Sequence, residues 1–363
     1  MTGPRRRVHQ VMAALSYGDA VSNDALAIQA HLQAAGFDSE IFAEHAHPRM
    51  AGRCRPLWRY REVSSPETVC LFHFAIGSGA GRLVFASPDR LVARYHNITP
   101  PELLAPFLPH LARQCEQGRR ELRAFAARAE LGLGVSEFNR RELEEAGYAR
   151  TGVVPLLLDL DAFASGGVSP VVRGLFADGR RNVLFVGRII PNKRIEDLLR
   201  VFAFYQRALD PSSRLLLVGD HWGYEPYLLF LEAMARELGA QDVIFTGQVE
   251  DDELRALYSV ASVYVSLSEH EGFCAPLLEA MAFGVPVVAY DAGAVAETLA
   301  GAGVLLRDKT PDTVAALLHQ VVADPALRGP VLAGQERRLA RARDADFGSV
   351  LLSGLGPVLA PRS

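Results

Sequence analysis

The chain has 363 residues, 49% hydrophobic and 22% charged, with a net charge of −4. That length suggests two globular domains, and the weakly acidic balance argues against a nucleic-acid-binding module. Four cysteines (Cys54, Cys70, Cys115, Cys274) show neither pair nor metal spacing, which points to a reduced, cytoplasmic setting, and no apolar run approaches the length of a membrane span.

Met1–Arg7 is basic and precedes Val8–Leu15, an apolar run too short and too polar for a signal peptide; it reads as a tail and a first strand. The loop Ser16-Tyr17-Gly18-Asp19 follows, then a helix capped by Ser22 or Asn23 and running to Gly36, then a strand at Glu40–Ala43. This β-loop-α-β order opens a doubly wound α/β domain, with the Gly18 loop at the carboxyl end of the first strand, where such sheets bind ligands. Further strands fall at Val69–Phe74, Leu91–Tyr95, Gly132–Ser136 and Val153–Pro155, with His96 and Asn97 delivered at the end of the second of these. A long helical region spans Glu102–Ala129, interrupted by Pro106 and Pro109. Its arginines (Arg113, Arg119, Arg120, Arg123, Arg128) leave peripheral contact with anionic lipid open, against a plain solvated face.

Periodicity fades between Leu156 and Gly179, and a second α/β pattern then starts. Strands are expected at Asn182–Val186, Arg214–Val218, Val243–Phe245, Val263–Ser266, Val285–Val288 and Val304–Leu306, alternating with helices from Ile195, Glu225, Asp251 and Thr313. The division is 1–160 for a first Rossmann-like domain, 161–180 for a linker, 181–340 for a second Rossmann-like domain and 341–363 for a helical tail packing back on the first domain. Two facing Rossmann-like domains would leave a cleft between the carboxyl ends of their sheets.

Three clusters carry chemistry. In Gly187-Arg188-Ile189-Ile190-Pro191-Asn192-Lys193 a strand ends in glycine, Asn192 is placed to cap the next helix, and two cations bracket a helix start, which suits a phosphate or diphosphate. Lysine occurs only at 193 and 309 in an arginine-rich chain, so Lys193 is an informative choice. Ser268–Ala289 reads as a short buried helix with Pro276 in its first turn and Gly284 at its end. It carries two carboxylates, Glu271 and Glu279, which in an apolar setting need partners. The third cluster is His96 with Gly18 and Asp19, at strand ends of the first half.

These pieces, V-G-R-I-I-P-N-K-R-I-E-D-L-L-R-V-F, L-L-L-V-G-D, F-T-G-Q-V-E-D-D-E-L-R-A-L-Y and E-G-F-C-A-P-L-L-E-A-M-A-F-G-V-P-V-V-A, closely resemble the retaining glycosyltransferases of family 4, which have the GT-B fold. Glu271 and Glu279 match the E-x7-E pair of that family. The resemblance is specific over Arg181–Leu306 and looser in the first half, where it rests on Y-H-N-I-T, G-V-S-E-F-N and the Gly18 loop. Cys274 departs from the glycine of many members.

The resemblance implies transfer of a hexosyl group from a UDP- or GDP-sugar to an acceptor hydroxyl, with retained configuration, front-face attack and neither metal nor cofactor. His96, Arg188, Lys193 and Glu271 would act in catalysis. Gly18, Asp19, Gly187, Gly219, Asp220, Gly247, Val249, Gly272, Phe273, Cys274 and Glu279 would bind the donor. Glu279 would hold the ribose, Glu271 the sugar, and Gly247–Val249 would lie near the base. The acceptor would be a glycan, a lipid-linked glycan or a small natural product, at the cytoplasmic side or on the inner face of the membrane. A GT-B phosphorylase or epimerase fits the motifs less well, and a non-catalytic nucleotide-sugar-binding protein would be expected to have lost them.

Overall fold

The computed structural model describes residues 6–344 and 346–359; the basic Met1–Arg5 and the last residues of the expected tail lie outside that range. The chain forms two compact units. Among the described residues, the first comprises 6–101, 110–158 and 346–359, the second 102–109 and 159–344.

The first unit is built on seven parallel strands: β1 (Val8–Leu15), β2 (Ile41–Ala46), β3 (Arg55–Pro56), β4 (Val69–Phe74), β5 (Arg90–Tyr95), β6 (Leu131–Gly134) and β7 (Thr151–Val153). Their order is β3-β2-β1-β4-β5-β6-β7. β4 is buried along its whole length, as expected for a central parallel strand covered on both faces. The strand order reverses between β1 and β4, so the loops after these strands diverge and leave a crevice at their carboxyl ends. The Gly18 loop sits there. One core of this unit joins Val8, Ile28, Leu71, Val92 and Leu133 to Leu351, Leu355 and Val358 of the last helix, Phe347–Leu359.

The second unit has six parallel strands: β8 (Asn182–Val186), β9 (Arg214–Val218), β10 (Val243–Gly247), β11 (Val263–Ser266), β12 (Val287–Tyr290) and β13 (Val304–Leu306). The order β10-β9-β8-β11-β12-β13 reverses between β8 and β11. The loops after β8 and β11 are the Gly187–Lys193 segment and the Ser268 stretch, so the topology brings the two strongest motifs to one switch point. The helix Ile195–Ala208 buries Leu198, Leu199, Val201 and Phe202 against β8 and β9 residues such as Phe185 and Leu217.

Several expectations change. The segment 161–180 is no free linker: it forms helices Leu160–Ser165 and Pro170–Phe176 that belong to the second unit. Phe163 packs on Tyr258 and Phe283, and the Ser169 amide donates to the Asp252 carbonyl. Residues 102–109, expected within the first domain, join the second unit because Phe107 packs on Tyr227 and Phe230. The first helix, Ala20–Ala34, is capped by Asp19 rather than by Ser22 or Asn23. Asn192 caps no helix; its amide donates to the His270 carbonyl at 3.2 Å, tying the β8 loop to the β11 loop. The short β3 and its flanking 3-10 turns carry no periodic signal and were not expected.

Candidate active site

At the switch point of the second unit, the Lys193 ammonium donates to both oxygens of Glu271, at 2.7 and 2.8 Å. The Glu271 side chain is 8% exposed and that of Lys193 17%. A carboxylate that deep requires a cation, and the pair is bidentate, which favours a defined geometry over a loose contact. Both motifs thus converge on one ion pair. The backbone around it is also fixed. Glu269 N donates to Asn192 O at 2.9 Å, and Ala294 N donates to Glu271 O at 2.9 Å. Gly293, at φ +57°, packs so closely that a Cβ there would overlap the Glu271 carbonyl.

The ends of β8, β9 and β10 are laced together. Gly187 N donates to Val218 O, Ile189 N to Asp220 O and Gly219 N to Gly247 O, at 2.9, 2.9 and 3.1 Å. Gly219 has φ +145°, and a side chain on it would run into the Gly187 carbonyl, so only glycine fits. Arg188 is exposed at this edge. Asp220 turns its carboxylate onto the Trp222 amide at 2.8 Å, stabilising its own loop. Gly247, at φ +69°, faces the His221 ring, and Val249 is half-buried beyond it.

The helix Ala275–Ala282 starts from Cys274 and has Pro276 in its first turn, with Gly284 at φ +66° closing its end. Gly272 and Phe273 are half-buried just before it, and the Phe273 carbonyl accepts from the Thr298 hydroxyl. Cys274 sits at φ +69°, ψ +63°, a left-handed conformation that costs a side-chain-bearing residue about 1 kcal/mol or more. A left-handed position of this kind favours glycine, which has no Cβ to strain. Burial pushes the Cys274 thiol well above its ordinary range, reinforced by the neighbouring Glu271 carboxylate, so it is an inert packing group.

Glu279 lies one face along. The Tyr258 hydroxyl donates to its Oε2 at 2.8 Å, and Oε1 has no protein partner among the described residues. Burial raises the Glu279 carboxyl to about 6, opposed by the Tyr258 bond and assisted by Asp251. Glu279 and Glu271 therefore have different partners and do not form a shared-proton dyad.

In the first unit, Gly18 is exposed at φ +69°, and the Asp19 carboxylate accepts from the amide and hydroxyl of Ser22 at 3.2 and 3.1 Å. Asp19 is thus occupied as a helix cap. The His96 side chain is 3% exposed. Its Nε2 lies 2.9 Å from Nδ1 of His73, whose Nε2 lies 2.8 Å from Gln10 Oε1. Sequence reasoning missed Gln10, His73 and the adjacent buried pair Asp24–Arg94. Their polar character in otherwise apolar strands and helix was the available signal. Arg94 donates to both Asp24 oxygens at 3.0 and 3.1 Å and to the carbonyls of Val154 and Pro155. Burial, then the neighbouring ring and Arg94, hold His96 well below its ordinary pKa.

Asp24, His73 and His96 offer ligand atoms within 4.8 Å of one another, the spacing of a metal centre. Their geometry does not fit an ion. The two ring planes are 16° apart with centroids at 5.1 Å, and nitrogens 2.9 Å apart are closer than stacked ring faces allow, so the rings meet edge to edge. The two nitrogens face each other across a hydrogen bond, whereas a metal needs a lone pair from each aimed at a third point about 2.0–2.1 Å away. Arg94 also places a cation on the carboxylate.

Residues 173–333 match the family model for glycosyl transferases group 1. That stretch lies within the second unit. The matched stretch includes both site motifs. Among curated proteins, the chain is similar to a GDP-mannose-dependent alpha-mannosyltransferase of Mycobacterium tuberculosis, 29% identical over 63% of this chain and 58% of that protein. It is also similar to a D-inositol 3-phosphate glycosyltransferase of Nocardiopsis dassonvillei, 36% identical over 52% and 46% of the two chains. The alignments thus span about half the length of these relatives. Two solved structures share the GT-B fold over nearly the whole chain. Sucrose-phosphate synthase of Thermosynechococcus elongatus gives a TM-score of 0.75 at 19% identity, covering 98% of each chain. Anabaena HepE in complex with UDP-glucose gives 0.74 at 17%, covering 97% and 99%. The chain has the GT-B glycosyltransferase fold, resembling family 4.

Proposed function

We propose that the protein is a retaining, metal-independent hexosyltransferase that takes a UDP- or GDP-sugar and transfers the sugar to an acceptor hydroxyl in glycolipid, polysaccharide or glycoconjugate assembly. The observation that carries this reading is the bidentate Lys193–Glu271 pair at the switch point of a group 1 domain. The GDP-mannose dependence of one relative and the UDP-glucose bound to HepE are consistent with either donor class.

In this reading the ion pair is the resting state of a clamp. When the donor arrives, Lys193 exchanges Glu271 for the diphosphate and Glu271 turns its oxygens to sugar hydroxyls. Each group leaves a partner of opposite charge for a new hydrogen-bonding partner, so neither is left buried and bare. Arg188, at the same loop, shares the negative charge. That charge grows on the departing diphosphate in the transition state, so these cations accelerate cleavage more than they tighten ground-state binding. The open Oε1 of Glu279 accepts from the ribose, and His96 contacts the transferred sugar. The departing phosphate oxygen takes the acceptor proton, so no side-chain nucleophile and no metal are assigned. In this reading the protein acts in the cytoplasm, on a glycan or lipid-linked acceptor.

Lys193→Ala and Glu271→Ala should each lower kcat/KM for sugar transfer by at least about tenfold, a loss of about 1.4 kcal/mol of transition-state stabilisation. Radiolabelled transfer from a panel of nucleotide sugars measures this. Near-wild-type turnover by either folded variant would overturn the assignment. Activity should persist in EDTA, and a strict requirement for a divalent ion would refute the metal-free mechanism.

A further inference from the structure

We propose that Gln10 and His73 are positioning residues that set the proton on His96, making its open ring nitrogen a hydrogen-bond acceptor for a substrate hydroxyl; this rests on the transferase reading for the identity of the substrate. The chain of deduction begins at a backbone carbonyl. The Ala25 carbonyl can only accept, and the Gln10 side chain lies 2.9 Å from it through Nε2. That contact orients the amide, so Oε1 is the atom facing His73 at 2.8 Å. An amide oxygen only accepts, so His73 carries a proton on Nε2. Burial holds His73 far down, at about 3, so at neutral pH it has that single proton and Nδ1 is a bare lone pair. His96 Nε2, 2.9 Å away, must then donate to it.

His96 is likewise neutral at pH 7. With its proton on Nε2, its Nδ1 is a lone pair. Nδ1 has no protein partner among the described residues and is not among the buried nitrogens left unsatisfied, so it opens outward. The charged groups around this relay are Asp24, whose Oδ2 is 3.9 Å from His96 Nε2, and Arg94, which neutralises Asp24. Because Arg94 holds the carboxylate, Asp24 does not draw a second proton onto His96. The relay Ala25–Gln10–His73–His96 runs in one direction only. Its open end suits a hydroxyl, which can donate, and repels a phosphate or carboxylate, which cannot.

The test reads the tautomer directly. Full-length protein labelled with 15N-histidine is examined by long-range 15N–1H correlation at pH 7, with the His96 signals assigned from their loss in His96→Gln. The expected result is a protonated Nε2 and a bare Nδ1 on His96. A proton on Nδ1, or a doubly protonated ring, overturns the proposal. Gln10→Glu has no donor for the Ala25 carbonyl, so the side chain turns off it and gives its carboxylate to His73, which then takes a second proton on Nδ1; the bond to His96 reverses, and His96 Nδ1 becomes a donor. That variant should show the reversed tautomer and a fall in kcat/KM of at least about tenfold. Gln10→Met, which removes the acceptor without adding charge, should show mixed tautomers and an intermediate loss. A folded Gln10→Glu protein with an unchanged tautomer, or a reversed tautomer with full activity, overturns the proposal. If the wild type transfers no sugar at all, the transferase reading fails, while the tautomer arm still decides the relay.

Discussion

At the scale of single residues, the candidate site is governed by what each buried charge is given to hold. Glu271 is given Lys193; Glu279 is given only a tyrosine hydroxyl, and its carboxyl rises to about 6 as a result. The folded-state value lies above the ordinary one, so ionisation disfavours the fold here. This contribution is absent below the ordinary value and is felt fully above about 6, at a cost of order 1–2 kcal/mol at pH 7. A ribose hydroxyl, by contrast, binds the ionised form. Nucleoside diphosphate affinity should therefore weaken as pH falls through about 6, while Glu279→Gln should bind more weakly at neutral pH and lose this inflection. Calorimetric titration between pH 5 and 8 checks both, and a flat profile for the wild type would remove Glu279 from the nucleotide site. Cys274 yields a second residue-scale expectation. Its left-handed backbone tolerates glycine, so Cys274→Gly should change stability by no more than about 1 kcal/mol, whereas the β-branched Cys274→Val should cost more than about 2 kcal/mol in chemical denaturation.

At the scale of elements, four strands of the second unit were legible to the residue, while β10 runs on to Gly247 past the expected Phe245 and β12, Val287–Tyr290, starts and ends later than the expected Val285–Val288. β8, β9, β11 and β13 are short apolar runs bounded by glycine or polar residues, and each is delimited at both ends by its own sequence. The first unit was read less sharply. Its β6 begins one residue before the expected Gly132 and stops two earlier, because Val135 and Ser136 turn into the next helix, whose cap is Ser136. Spacing could reveal the convergence of Lys193 and Glu271 only through the family resemblance, since 78 residues separate them and the switch point that joins them is a property of strand order. Asp19 could not be recognised as a cap from sequence alone, because Ser22 and Asn23 offer equal capping chemistry; the bond from Ser22 decides it. The lacing of β8, β9 and β10 depends on Gly219 having no side chain. Gly219→Ala should cost at least about 3 kcal/mol, from positive φ and backbone overlap together, and melting curves of the two proteins would show it. An unchanged melting temperature would mean that these strand ends are not held as described.

At the scale of the whole molecule, bulk charge and helix length say little about partners, and residue pairing says more. No helix among the described residues is long and apolar enough to cross a membrane. In the helix Pro109–Ala126, Arg119 is engaged by Glu142 and the Ile98 carbonyl and Arg120 by Glu116, while Arg128, just beyond it, is engaged by the Ser87 and Asp89 carbonyls. The charge left for a lipid surface is smaller than the arginine count suggests. If peripheral membrane contact exists, vesicles of phosphatidylglycerol should retain the protein at low salt and release it as ionic strength rises. The donor base is best decided on the intact chain. A nucleotide present at 100 times its Kd stabilises the state that binds it by about 2.7 kcal/mol, so UDP, GDP and ADP should separate in a thermal-shift series, with one of the first two giving the larger rise.

The last helix, Phe347–Leu359, lends Leu351, Leu355 and Val358 to a core whose other members begin at Val8. The ribosome makes the first unit's sheet early and its closing helix last, after the whole of the second unit. Until residue 358 has left the exit tunnel, the apolar surface around Val8, Ile28 and Leu133 has no cover, while every residue of the second unit has already emerged or is emerging ahead of it. The usual order of synthesis, amino-terminal domain first, is therefore inverted for stability. On nascent chains stalled with Asp344 just outside the exit tunnel, the second unit should resist protease before the first does, and the first should become resistant only when the helix Phe347–Leu359 has also emerged. In this protein the strand at Val8 relies on a helix that is made after the second unit.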